Sequence, residues 1–112
     1  MILRSLAAWL KAFLFTEMVE VPLYMRALGV SLPVAFGASA LTHPIVWFVF
    51  FSPRFTAGYG VRSVAAELFA WLAEGAYFRF GWKCPRAWRW SFCANAGSLT
   101  LGLVSRHYLG VP

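Results

Sequence analysis

The stretch from Leu32 to Phe51 (LPVAFGASALTHPIVWFVFF) contains no Lys, Arg, Asp or Glu. It matches the ~20 residues a helix needs to cross a ~30 Å hydrocarbon layer. A chain that carries such a run must bury it whole or give it to lipid. Pro33 falls in the first turn, where a helix tolerates proline. Pro44 falls mid-run, where it removes one backbone hydrogen bond and bends the helix.

Composition decides between those outcomes. Only 12% of the 112 residues are charged and 61% are hydrophobic, with a mean hydropathy of +0.66. A soluble domain carries about 25% charged residues to cover its surface. The bilayer is therefore the expected solvent. The formal charge of +6 does not indicate nucleic acid, because the basic residues fall singly or in short clusters between apolar runs. Anionic lipid headgroups are the partner expected for those Arg and Lys loops.

Three further segments join the first. Trp88 to Tyr108 is charge-free from Trp90 to Ser105 and is bounded by Arg86 and Arg89 at one end and by Arg106 and His107 at the other. Leu3 to Leu28 and Arg62 to Phe80 hold every acidic residue of the chain, yet their flanks (Trp9 and Lys11, Tyr24 and Arg26, Tyr77, Arg79 and Trp82) suit a membrane interface. Lys11 interrupts the first apolar run and no small-x-small cleavage site follows it, so this segment is read as part of the mature protein. The expected fold is all-α: a four-transmembrane-helix bundle with spans near 5–28, 32–51, 62–80 and 88–108. Short connections at Gly29–Ser31 and Gly81–Pro85 make two helical hairpins, joined through Ser52–Gly60.

The hairpins read as a degenerate tandem repeat. A shift of 53 positions places Tyr24 on Tyr77, Arg26 on Arg79 and Thr42 on Asn95, while Glu20 misses Glu74 by one residue. Orientation is undetermined. Arg4, Lys11, Arg54, Arg62 and Arg106 on one side balance Arg26, Arg79, Lys83, Arg86 and Arg89 on the other, so the positive-inside rule is tied.

The glutamates carry the functional signal. Acids that serve solubility belong in loops, but Glu17, Glu20, Glu67 and Glu74 all lie on the two marginal membrane segments, where a carboxylate persists only by facing the interior, finding a partner or keeping its proton. Glu17, Glu20 and Tyr24 share one helical face, and Glu67, Trp71, Glu74 and Phe78 share another. Two readings stand open: a proton or cation site, or polar glue between helices. Glu20 and Glu74 are the expected centre of the first, since two adjacent carboxyls in a low-dielectric interior cannot both ionise freely.

The partner segments complement these stripes. Ala35, Ala38, Ser39, Thr42 and Val46 form a narrow row of small residues on the second segment. Ser91, Asn95, Ser98, Gly102 and Ser105 recur at seam spacing on the fourth. Ser39, Thr42, Ser91, Ser98 and Gly102 are expected to pack helices, and Asn95, which can both donate and accept, to join the polar cluster. His43 is expected to face inward beside Glu17 or Glu20. Neither Glu-x-x-His nor His-x-x-x-His occurs, and there is no phosphate-binding glycine loop and no nucleophile elbow, so no metal, cofactor or catalysis is expected. Cys84 and Cys93 read as one small hydrophobe and one surface thiol.

The chain is therefore expected to be a multi-pass protein of a prokaryotic plasma membrane. It would act as a structural module or subunit of a membrane complex, or alternatively as a small oligomeric proton- or cation-coupled transporter.

Overall fold

The computed structural model describes residues 2–50, 52 and 58–110. Arg54 and most of the central connection lie outside the described residues. Among those described there are four helices and no strand: α1 (Ile2–Leu28), α2 (Leu32–Ile45), α3 (Tyr59–Ala76) and α4 (Ala87–Leu109). Two of them continue as single π-helical turns, α2 through Val46–Phe50 and α3 through Tyr77–Gly81. Pro44 stands just before the first of these turns. A residue without an N–H forces the ladder to change register nearby, and a π turn is one way to do so. Nothing in the structure explains the second.

Each helix ends where its sequence allows. Gly29 adopts φ +69° and donates its N–H to the Met25 carbonyl, a left-handed cap that closes α1 and turns the chain into α2. The loop after α3 turns on Lys83, a non-glycine residue at φ +55°, and is held by the Cys84 N–H bonded to the Phe78 carbonyl. The helices form a closed ring of neighbours: α1 packs on α2 and α4, and α3 packs on α2 and α4.

The layering is inverted relative to a soluble bundle. Large apolar side chains face outward, with Met18 77% exposed and Leu14, Leu41, Leu68 and Phe92 likewise exposed. The interior combines the rings of Tyr24, Phe78 and Phe13 with alanines, Ser39, Thr42, Ser91 and Asn95, together with Glu20 at 1% and Glu74 at 2%. Small residues let the backbones approach. Where α3 meets α4 the approach is close enough that a Cβ on Gly75 would fall 2.5 Å from the Trp88 ring. Among the described residues one helix, Leu32–Phe50, is long and apolar enough to cross a membrane, at a mean hydropathy of 1.5. The other three helices fall below that mark.

A buried carboxyl pair beneath a cavity

The inward faces of all four helices converge on two carboxyls. α1 supplies Glu20 and, one turn on, Tyr24; α2 supplies Ser39 and Thr42; α3 supplies Glu74; α4 supplies Asn95 and Ser98. The Ser39 hydroxyl donates to Glu20 Oε1 at 2.7 Å and the Ser98 hydroxyl to Glu20 Oε2 at 2.6 Å. Glu74 Oε1 accepts from the Tyr24 hydroxyl at 2.6 Å and from the Asn95 amide at 3.3 Å, and Oε2 accepts from Thr42 at 2.7 Å.

Every donor in this set is neutral. Among the described residues no Lys or Arg pairs with either acid. Burying two carboxyls without a fixed cation is costly unless a mobile one, a proton or another cation, stays with them.

The pair lies in the wall of a cavity of about 620 Å³. The cavity runs between α1 and α4 from Ala7 and Leu103 to Glu20 and Asn95, with Lys11 and Arg106 at its outer part and Glu67 on its flank. Nine residues of α1 separate Lys11 from Glu20, a rise of about 13 Å. On the other side of the pair the interior is solid. Tyr24 and Phe78 have no exposed surface, their ring centroids are 4.4 Å apart, and Ala35, Ala87 and Cys84 close around them.

The polar residues named from sequence divide into three groups. Glu20, Glu74, Asn95, Ser39, Thr42 and Ser98 come together in the central cluster. Glu67 and Gly102 line the cavity, whereas Ser91 bonds to the Trp71 carbonyl at 2.8 Å and serves α3–α4 packing. Glu17 and His43 form the third group, although His43 also borders the cavity. His43 does pack against α1, but on the rings of Phe13 and Trp9, at centroid separations of 5.5 and 6.4 Å. Its Nδ1, both Glu17 oxygens and the Trp9 indole nitrogen are buried without a hydrogen-bond partner.

Two residues of the cluster stand differently from their sequence pattern. Thr42 and Asn95, matched by the repeat alignment, both donate to the same carboxyl, Glu74. Tyr24 reaches Glu74, whereas its counterpart Tyr77 donates to the Val34 backbone carbonyl at 2.9 Å. Sequence reasoning placed Tyr24 on the acidic face of its helix but named it only as an interfacial residue. The signal for its bond was there, since a tyrosine one turn past an inward glutamate must bury its hydroxyl. The cysteines exchange places: the loop residue Cys84 is buried and Cys93, inside the apolar run, is exposed. Burial raises the Cys84 thiol above the usual cysteine range.

Among the described residues no group of three or more His, Cys, Asp or Glu side chains is arranged to hold a metal ion. No protein-family model, no curated protein and no solved structure matches the chain.

Proposed function

We propose that the four helices span a membrane and that Glu20 and Glu74 form a site where a cation and a proton compete, making the protein a small proton- or cation-coupled carrier. One observation carries this reading: two buried carboxyls, bonded only by neutral groups, form part of the wall of a cavity that extends toward one end of the bundle. A carboxyl in that position gives up its proton only when another cation takes its place, which is the exchange a coupled carrier performs.

The membrane part of the reading rests on the inverted layering. The longest dimension, 40 Å, suits a bilayer with its headgroup regions. Trp82 and Trp88 stand exposed among Arg79, Lys83, Arg86 and Arg89 at one end, as an interfacial belt that would meet anionic headgroups. A prokaryotic plasma membrane is the setting we infer. Four helices enclose little beyond their own side chains, so the working unit is a homo-oligomer or part of a larger complex.

A second reading, a structural module or subunit, is favoured by the saturation of the carboxyls. All four oxygens accept at least one hydrogen bond, and the bonds tie all four helices together.

Proteoliposomes separate the two. With a pH dye inside and an outward proton gradient imposed, external sodium or tetramethylammonium should discharge the gradient through the parent protein and not through Glu74→Gln, which keeps the shape but releases no proton. Equal behaviour of the parent and a correctly assembled Glu74→Gln would favour the structural module.

A further inference from the structure

A second cavity, of about 270 Å³, opens on the outer surface between α3 and α4. Its wall is almost wholly apolar. Val64, Leu68 and Phe92, all exposed, line it together with Trp71 and Leu99. Its one acidic group is Glu67. Three residues, Glu67, Asn95 and Leu99, line both this groove and the larger cavity. The two spaces are therefore back to back across one thin wall, and Asn95, which bonds Glu74, stands in that wall.

Three features together select an occupant. First, no hydrogen bond to Glu67 is present among the described residues, so its carboxyl is available to an incoming group. Second, Glu67 and Trp71 are four residues apart on α3 and lie on one face. The Trp71 ring is held by its own N–H bonded to the Trp88 carbonyl at 2.9 Å and by an edge-on contact with Phe92 at 5.6 Å. A fixed indole beside a carboxyl is a cation site of mixed electrostatic and cation–π character. Third, apart from Ser63 and Asn95 the rest of the groove's lining is apolar, which accommodates a hydrocarbon tail and leaves a doubly charged ligand unsatisfied.

Resting on the carrier reading, we propose that the cation is amphipathic, a single positive head on an apolar tail, and that it reaches the carboxyl pair sideways from the lipid through the α3–α4 groove, with Glu67 as its first counter-charge. The head then moves from Glu67 past Asn95 to Glu74, two turns along α3 or about 10 Å. The tail stays against Leu68 and Phe92. Glu67 thus sets specificity and entry, while Glu20 and Glu74 hold the proton exchange.

The test compares hexyltrimethylammonium with tetramethylammonium, which share a head and differ only in the tail. Calorimetric titration of the purified protein in lipid nanodiscs is paired with the gradient-discharge assay. We expect the hexyl ion to bind at least about tenfold tighter, in line with the burial of several methylenes. Glu67→Gln and Phe92→Ala should each reduce hexyltrimethylammonium binding by about tenfold or more. Phe92→Ala, which alters only the groove, should leave discharge by tetramethylammonium, which can use the larger cavity, close to the parent's. Hexyl binding no tighter than tetramethyl, or unchanged in both variants, overturns the groove while discharge in the parent keeps the carrier reading. Absence of discharge by either ion in a folded parent overturns the carrier reading itself, and the proposal falls with it.

Discussion

At the end of the bundle where α1 begins and α4 finishes, the carboxyl pair adjoins a cavity with Lys11 and Arg106 in its outer part; toward the other end it meets the packed rings of Tyr24 and Phe78. The same four helices make both ends, so the difference is one of side-chain volume. Ala7, Ala8, Ala12 and Gly102 line the open side beside Phe15 and Trp47, whereas a tyrosine and a phenylalanine fill the sealed side. The lesson is that small residues have two uses here. Packed around the Tyr24 and Phe78 rings they bring helices together, and along the cavity they leave room beside Phe15 and Trp47.

The largest break in this asymmetry should come from the acids between the two ends. Glu20→Gln and Glu74→Gln should each abolish cation-driven discharge of a proton gradient while the protein still inserts and assembles, as gel filtration and circular dichroism would establish. Persistence of discharge in both would leave the open end without a purpose.

The next largest effect should follow from unsealing. Tyr24→Phe keeps the ring but removes a buried donor to Glu74, at a stability cost of about 1–3 kcal/mol. Tyr24→Ala, which removes the ring as well, should let a small polar thiol reagent reach a cysteine placed at Ala38 from the sealed side, with the native cysteines replaced. If the reagent fails to reach that position in Tyr24→Ala, packing by Phe78 alone makes the seal.

Two glycines sharpen the comparison further. A Cβ at Gly75 would collide with the Trp88 ring near the sealed end, whereas a Cβ at Gly97 meets nothing within 4 Å. Gly75→Ala should lower stability by about 1–3 kcal/mol through overpacking. Gly97→Ala should raise it by up to about 1 kcal/mol through helix propensity. Thermal unfolding followed by tryptophan fluorescence reads both signs. The smallest effect expected is at the sealed end's loop, where Lys83 adopts φ +55°. Lys83→Gly should raise the unfolding midpoint by the equivalent of about 1 kcal/mol.

Much of this was legible within single helices. The row Ala35, Ala38, Ser39 and Thr42 is buried as its spacing implied, and Glu20 and Glu74 face inward. What periodicity could not supply is which helix lies opposite. The Ser98 bond to Glu20 spans 78 residues and the Tyr24 bond to Glu74 spans 50. Both depend on how one hairpin docks on the other. For the same reason Glu17, three residues from Glu20 on one face, was read as part of the same polar cluster. Glu20 meets donors from both α2 and α4, whereas Glu17 meets none and is left buried beside the Trp9, Phe13 and His43 cluster. The cavity was illegible for a related reason. Ala8 and Ala12 on α1 and Gly102 on α4 are visible in the sequence, but a space arises only when those rows are placed face to face.

The central claim is that the carboxyl pair is an exchangeable site reached through the cavity, and water-soluble carbodiimide labelling of intact membranes, mapped by mass spectrometry, tests it most directly. Glu17 is an internal control, since it is buried and does not line the cavity. The account predicts adducts on Glu67 and on Glu20 or Glu74, suppressed at the pair by excess tetramethylammonium, with Glu17 unlabelled. Glu20 and Glu74 remaining as unreactive as Glu17 would contradict it.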